Sequence, residues 1–93
     1  MGRKAVQLSP NAPAYHILSE LTALDGDIPQ AMELLDKGEK DDPRYVPLYI
    51  DRGNILMAMN RNAQACAEFR KASSIDPENW SAAKGLAVCA GSH

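Results

Sequence analysis

Pro47-Leu48-Tyr49-Ile50-Asp51-Arg52-Gly53-Asn54-Ile55-Leu56, followed after a polar turn by Ala65-Cys66-Ala67-Glu68-Phe69-Arg70-Lys71-Ala72 and closed by Asp76-Pro77, is the stretch that decides the fold. Its landmarks recur 34 positions earlier. Pro13 maps onto Pro47, Tyr15 onto Tyr49, Gln30 onto Gln64, Ala31 onto Ala65, Lys37 onto Lys71, and Asp42-Pro43 onto Asp76-Pro77. Average composition gives roughly two such identities by chance over this length, so the seven found are a repeat. Leu21 with Ile55 and Leu35 with Phe69 are conservative matches at the same offset.

Each repeated residue type has a physical task. Pro13 and Pro47 suit a first helical turn, where an N–H has no intrahelical partner to lose. Tyr15 and Tyr49 then fall on the first buried turn, and Ala31 and Ala65 are small enough for close helix approach. Pro43 and Pro77 end each unit, since proline cannot continue a helix and disfavours helical backbone before it. Each period therefore reads as two helices. The spacing predicts helices over about residues 13–24, 28–37 and 47–59, a fourth from the turn at 60–62 to about 74, and a fifth over about 79–90. Asp25-Gly26-Asp27 and Asn60-Arg61-Asn62 form turns, Asp27 and Asn79 act as caps, and Gly38 stops the second helix. Ile17, Leu18, Leu21 and Leu24 recur at helical intervals, as do Cys66, Phe69 and Ala72, and nothing alternates like a strand.

A helix–turn–helix unit of this length resembles the tetratricopeptide repeat. The second unit places Tyr49, Gly53, Leu56, Ala65, Phe69, Ala72 and Pro77 in that family's signature slots. Only Leu56 departs, standing where an aromatic is usual. The first unit matches less closely, with Tyr15, Ser19, Thr22, Ala31, Leu35, Gly38 and Pro43 in those slots and a Gly26-Asp27 turn. The resemblance covers about residues 12–90. It implies an all-α fold: an α-α superhelix, that is, a right-handed solenoid of antiparallel helix pairs, with two repeats plus a C-terminal fifth helix. The expected divisions are 12–45 and 46–79 as repeats and 80–93 as the first helix of a third repeat or a cap. Residues 1–11 read as the end of a preceding repeat helix or a leader, because Arg3-Lys4-Ala5 echoes Arg70-Lys71-Ala72. A segment of a longer array is the expectation.

The family's first helices line a concave groove that holds peptides or helices. The resemblance assigns His16, Glu20 and Leu24 to that wall from the first unit, Ile50, Asn54 and Met57 from the second, and Lys84 and Val88 from the fifth helix. Ile50 and Met57 give it an apolar centre suited to an amphipathic partner. Some members clamp acidic chain ends with lysine, arginine and asparagine. The corresponding positions here are His16, Glu20, Asp51, Ser81 and Gly85, and their two acids would repel such a ligand. The implied role is a protein–protein interaction scaffold, not an enzyme. The alternatives are a self-assembling adaptor or secretion-type chaperone acting as a homodimer, and the tethering domain of a larger enzyme.

Composition agrees with a binding role and narrows it. The 93 residues are 45% hydrophobic and 24% charged, as in a soluble domain, and the net charge of −2 gives no footprint for nucleic acid or an anionic membrane. No apolar run is long enough to span a bilayer, and no signal peptide opens the chain. A cytoplasmic setting is expected. Histidine occurs only at His16 and His93, and no triad, zinc-protease or phosphate-loop motif appears. His16 and Glu20, one turn apart, read as a partly exposed helical pair rather than a metal site or base. Asp41-Asp42 lacks the spaced ligands of a calcium loop. No metal or cofactor is expected. Cys66 and Cys89 read as two buried thiols acting as small hydrophobes, with a disulfide as the alternative. Trp80 reads as an apolar anchor between the second unit and the fifth helix.

Overall fold

A computed structural model of the protein describes residues 11–91. The segment 1–10 and His93, about which the sequence raised expectations, lie outside the described residues. Within them the protein is all-helical, with five helices and no strand: α1 (Ala12–Leu24), α2 (Ile28–Asp41), α3 (Val46–Ala58), α4 (Asn62–Ile75) and α5 (Trp80–Gly91). None of these helices is long and apolar enough to cross a membrane.

The 34-residue period is visible in the backbone. Helix α3 begins and ends 34 residues after α1, and α4 does the same relative to α2. The turns repeat bond for bond. Asp27 N–H donates to Thr22 O and Arg61 N–H to Leu56 O, at 3.1 and 2.8 Å. The left-handed residue inside these turns is Gly26 in one and Asn60 in the other, with φ of 89° and 63°. Glycine meets that conformation freely, and asparagine is among the few other residues that tolerate it. At the unit ends, Arg44 N–H donates to Asp42 Oδ1 and Glu78 N–H to Asp76 Oδ1, at 3.1 and 3.2 Å. The aspartate of each Asp-Pro pair thus folds the chain locally and the proline blocks further helix. Asn11, Asp27 and Asn79 cap α1, α2 and α5 by accepting from the N–H groups of Ala14, Gln30 and Ala82.

Helices α1 and α2 pack as one hairpin and α3 and α4 as a second, with α3 against both helices of the first and α5 against α4 and α3. The buried residues run through this stack. Ala12, Leu35 and Leu48 join the hairpins, while Leu56, Ala65 and Phe69, beside Val46, Tyr49, Ala72 and Ala82, join the second hairpin to α5. Phe69 is 1% exposed. Its ring lies between Gly53 and Gly85, and a Cβ at either glycine would come within 2.7 Å of it or closer. Two glycines on two helices therefore make one aromatic seat, and burying such a ring contributes roughly 2–3 kcal/mol.

The structure corrects three expectations. Gly38 does not stop α2, which continues to Asp41. Gly38 is instead buried against Leu48, where a Cβ would lie 2.7 Å from Leu48 Cδ2. It is a close-contact glycine, and the stop is set by Asp42-Pro43. Trp80 does not anchor the fifth helix, since it is 76% exposed; Phe69 in its glycine seat holds α5. Cys66 and Cys89 are not separate thiols. They form a disulfide between α4 and α5, leaving no free cysteine among the described residues. Cross-linking across 23 residues adds about 3 kcal/mol by restricting the unfolded chain. The helical spacing on α1 is real, yet Ile17, Leu18, Leu21 and Leu24 are all exposed, so that face of α1 is apolar and uncovered by the described helices.

Candidate functional site: the groove along α1, α3 and α5

Two cavities lie along the first helices of the hairpins. The larger, about 470 Å³, sits between α1 and α3. Ala23, Leu24, Ile28, Ile55 and Ala58 make its apolar wall, and Ser19, Glu20, Asp51 and Asn54 its polar end. The smaller, about 250 Å³, lies between α3 and α5 and is lined by Met57, Phe69, Ser81, Lys84, Gly85 and Val88. Asn54 borders both and is exposed, so it stands at their junction.

Most of the residues assigned to the groove from the sequence border these cavities. Glu20 and Leu24 line the first, Met57, Lys84 and Val88 the second, and Asn54 both. Ile50 lines neither cavity; half-buried, it packs against the clusters around Tyr49 and Phe69, so it supports the groove floor from behind. His16 lies beside the first cavity, where it meets Asp51. Ile55 and Ala58 were missed. They follow Asp51 and Asn54 at helical spacing on α3, which is the signal that finds them. Gly85, assigned to a clamp position by the resemblance, is the seat of Phe69.

The polar end of the larger cavity is a three-residue cluster. His16 Nδ1 and Asp51 Oδ2 are in direct hydrogen-bond contact, and His16 Nε2 lies 3.8 Å from Glu20 Oε2. The spacing of His16 and Glu20 places them on one face of α1, one turn apart. Asp51 enters from α3 and is buried, 8% exposed. Burial pushes its carboxyl pKa up to about 6; the His16 hydrogen bond and charge oppose that rise, while Glu20 reinforces it. The Ser19 hydroxyl donates to the His16 carbonyl at 2.8 Å and more weakly toward Asp51 at 3.5 Å. A serine, a histidine and an aspartate thus sit together, but the serine hydroxyl is bonded to backbone and carboxylate. A nucleophile needs its hydroxyl bonded to the imidazole, and the larger wall of the cavity is aliphatic. The arrangement is suited to holding a ligand.

The neighbouring residue on α3 makes the opposite kind of cluster. Arg52 is 7% exposed and bonds Asp36 at 2.8 Å, Glu39 at 3.0 Å and Glu68 at 3.1 Å. It ties α3 to both α2 and α4. Burial works against its charge, and Glu68 and Glu39 outweigh that, so its pKa is raised. Lys71, 4.9 Å from the Tyr49 ring centre, adds a second cation next to Glu39.

Compared with known proteins, the chain matches no protein-family model and no curated protein.

Proposed function

We propose that this chain is a tetratricopeptide-like interaction module that holds an amphipathic helix or peptide of a partner protein in the groove along α1, α3 and α5. The observation that carries the reading is the larger cavity, aliphatic along one side and polar at one end, which continues past Asn54 into the cavity floored by Phe69. A concave apolar wall with a few polar groups is the usual form of a site that takes a helical segment by its anchors. The period of the helix bounds and turns supports a stacked-hairpin superhelix, in which such a groove extends as units are added.

The test is selection of displayed helical peptides against the whole protein, with Asn54→Trp as the blocking variant and Glu33→Ala, on the exposed face of α2, as the control. Selected peptides should lose at least tenfold in affinity on Asn54→Trp and nothing on Glu33→Ala. Peptides that bind all three proteins equally would remove the groove as the site.

A second reading, assembly of like subunits, has its own observation. Ile17, Leu18 and Leu21 are exposed together on α1, and apolar faces of this kind mark association surfaces. Sedimentation separates the two: a dimer dissolved by Leu21→Glu supports assembly, and a monomer that still selects peptides supports the groove. The disulfide between Cys66 and Cys89 weighs against the cytoplasmic setting expected from the sequence, because reducing compartments keep thiols free.

A further inference from the structure

The cluster at the polar end of the larger cavity has a geometry that peptide binding does not require. His16, Glu20 and Asp51 each bring a donor atom within 4.8 Å of the others, and they are the one such group among the described residues. Asp51 is held by burial on α3, and its Oδ2 lies against His16 Nδ1. A carboxylate on Nδ1 accepts the proton there, so the neutral imidazole presents a bare Nε2. That nitrogen lies 3.8 Å from Glu20 Oε2. Two donors about 2.1 Å from one tetrahedral ion are about 3.4 Å apart, and the exposed Glu20 side chain can close the difference by a small rotation. The imidazole also meets Tyr45, whose ring centre is 6.1 Å away in an edge-on arrangement.

We propose that His16 Nε2 and the Glu20 carboxylate bind a divalent first-row transition-metal ion at the junction of α1 and α3, with Asp51 orienting the imidazole from behind. An imidazole nitrogen paired with a carboxylate selects zinc-like ions over magnesium or calcium, which prefer all-oxygen sites. Two protein donors leave further coordination positions for water. The site stands on its own geometry and holds whether or not the groove takes a peptide.

The experiment is calorimetric titration of the whole, disulfide-bonded protein with zinc chloride, without peptide and without reductant, alongside titration with magnesium chloride. The imidazole signals of His16 and His93 are followed by NMR in the same samples. The expected result is saturable binding of one zinc ion, no magnesium binding, and movement of the His16 signals. Glu20→Gln, a change at an exposed position, should weaken zinc binding at least tenfold without disturbing the fold. Asp51→Asn should weaken it by 10–100-fold, as loss of an orienting carboxylate does elsewhere. No saturation below about 1 mM zinc, equal affinity in Glu20→Gln, or movement of His93 in place of His16 would each overturn the proposal.

Discussion

Asp51 and Arg52 are adjacent in sequence, both buried on α3 and both charged, yet they point about 100° apart on the helix and meet the same cost in different ways. Arg52 meets three carboxylates and has Lys71 nearby, so fixed positive charge sits among fixed negative charge. Asp51 meets His16 and a second acid, Glu20, and has no permanent cation. A buried charge is tolerated when it is paired and hydrogen-bonded. The Arg52 side satisfies that condition at any ordinary pH; the Asp51 side satisfies it only while a proton, or another cation, is present. The first cluster ties α2, α3 and α4 together. The second lies at the polar end of the larger cavity, where Glu20 and Asp51 are part of the lining.

The harshest way to break this comparison is to remove the cation from the Arg52 side. Arg52→Met leaves Asp36, Glu39 and Glu68 facing a buried position without their shared partner. Removing one member of a buried ion pair costs about 3–5 kcal/mol, and the exposure of Asp36 and Glu39 places the expected loss near the lower end. Urea denaturation should therefore show about 3 kcal/mol less stability. A loss below about 1 kcal/mol would make Arg52 a surface-type ion pair, and the two sides would no longer differ.

The Asp51 side should respond to pH, with a definite sign. The folded carboxyl has its pKa raised from 3.8 to about 6 by burial, with His16 opposing and Glu20 assisting. The folded protein thus holds this proton more tightly than the unfolded chain does. Stability from this group is full below about pH 4, declines as pH rises toward 6, and is level above that. Two pH units correspond to roughly 3 kcal/mol as an upper bound, and the imidazolium of His16 reduces it. Denaturation of wild type and Asp51→Asn in metal-free buffer should show the wild type losing ground relative to the variant across this window. A wild type that gains instead would mean that the His16–Asp51 pair is a strong fixed ion pair, like the one at Arg52.

Why one side was legible from sequence and the other was not follows from the distances involved. The helices, their turns and the stacking of hairpins rest on local signals, most of them repeated at a fixed offset: Asp-Pro at the unit ends, proline in the first turn of α1, α2 and α3, small residues at Ala31 and Ala65. The groove face came from the family resemblance, which assigns the first helix of each unit to the inner wall. His16 with Glu20 was read as a local pair because both lie on one helix, whereas Asp51 is 35 residues from His16 and joins them only when the hairpins stack. The same reason hid the disulfide, which needs α4 and α5 side by side, and the task of Gly38. A glycine near a helix end reads as a stop, and only the position of Leu48 on the next hairpin shows it to be a contact. Trp80 failed differently: size alone suggested an anchor, but the Phe69 ring already fills the seat between Gly53 and Gly85.

The smallest change sharpens the comparison most. Glu20 is exposed and has no structural bond to lose beyond a 3.8 Å approach to His16, so Glu20→Gln should alter stability at neutral pH by less than about 0.5 kcal/mol. Its charge raises the Asp51 pKa. Removing the charge should therefore move the midpoint of the pH-dependent loss downward while leaving its sign unchanged. Titration of the His16 imidazole and the Asp51 carboxyl by NMR, in wild type and Glu20→Gln, reads that movement directly. A midpoint that stays in place would show that burial alone sets the behaviour of Asp51, and that Glu20 faces the solvent without sensing the groove. A downward move would show that the two acids share one electrostatic site, which is the property that separates this side of α3 from the Arg52 side.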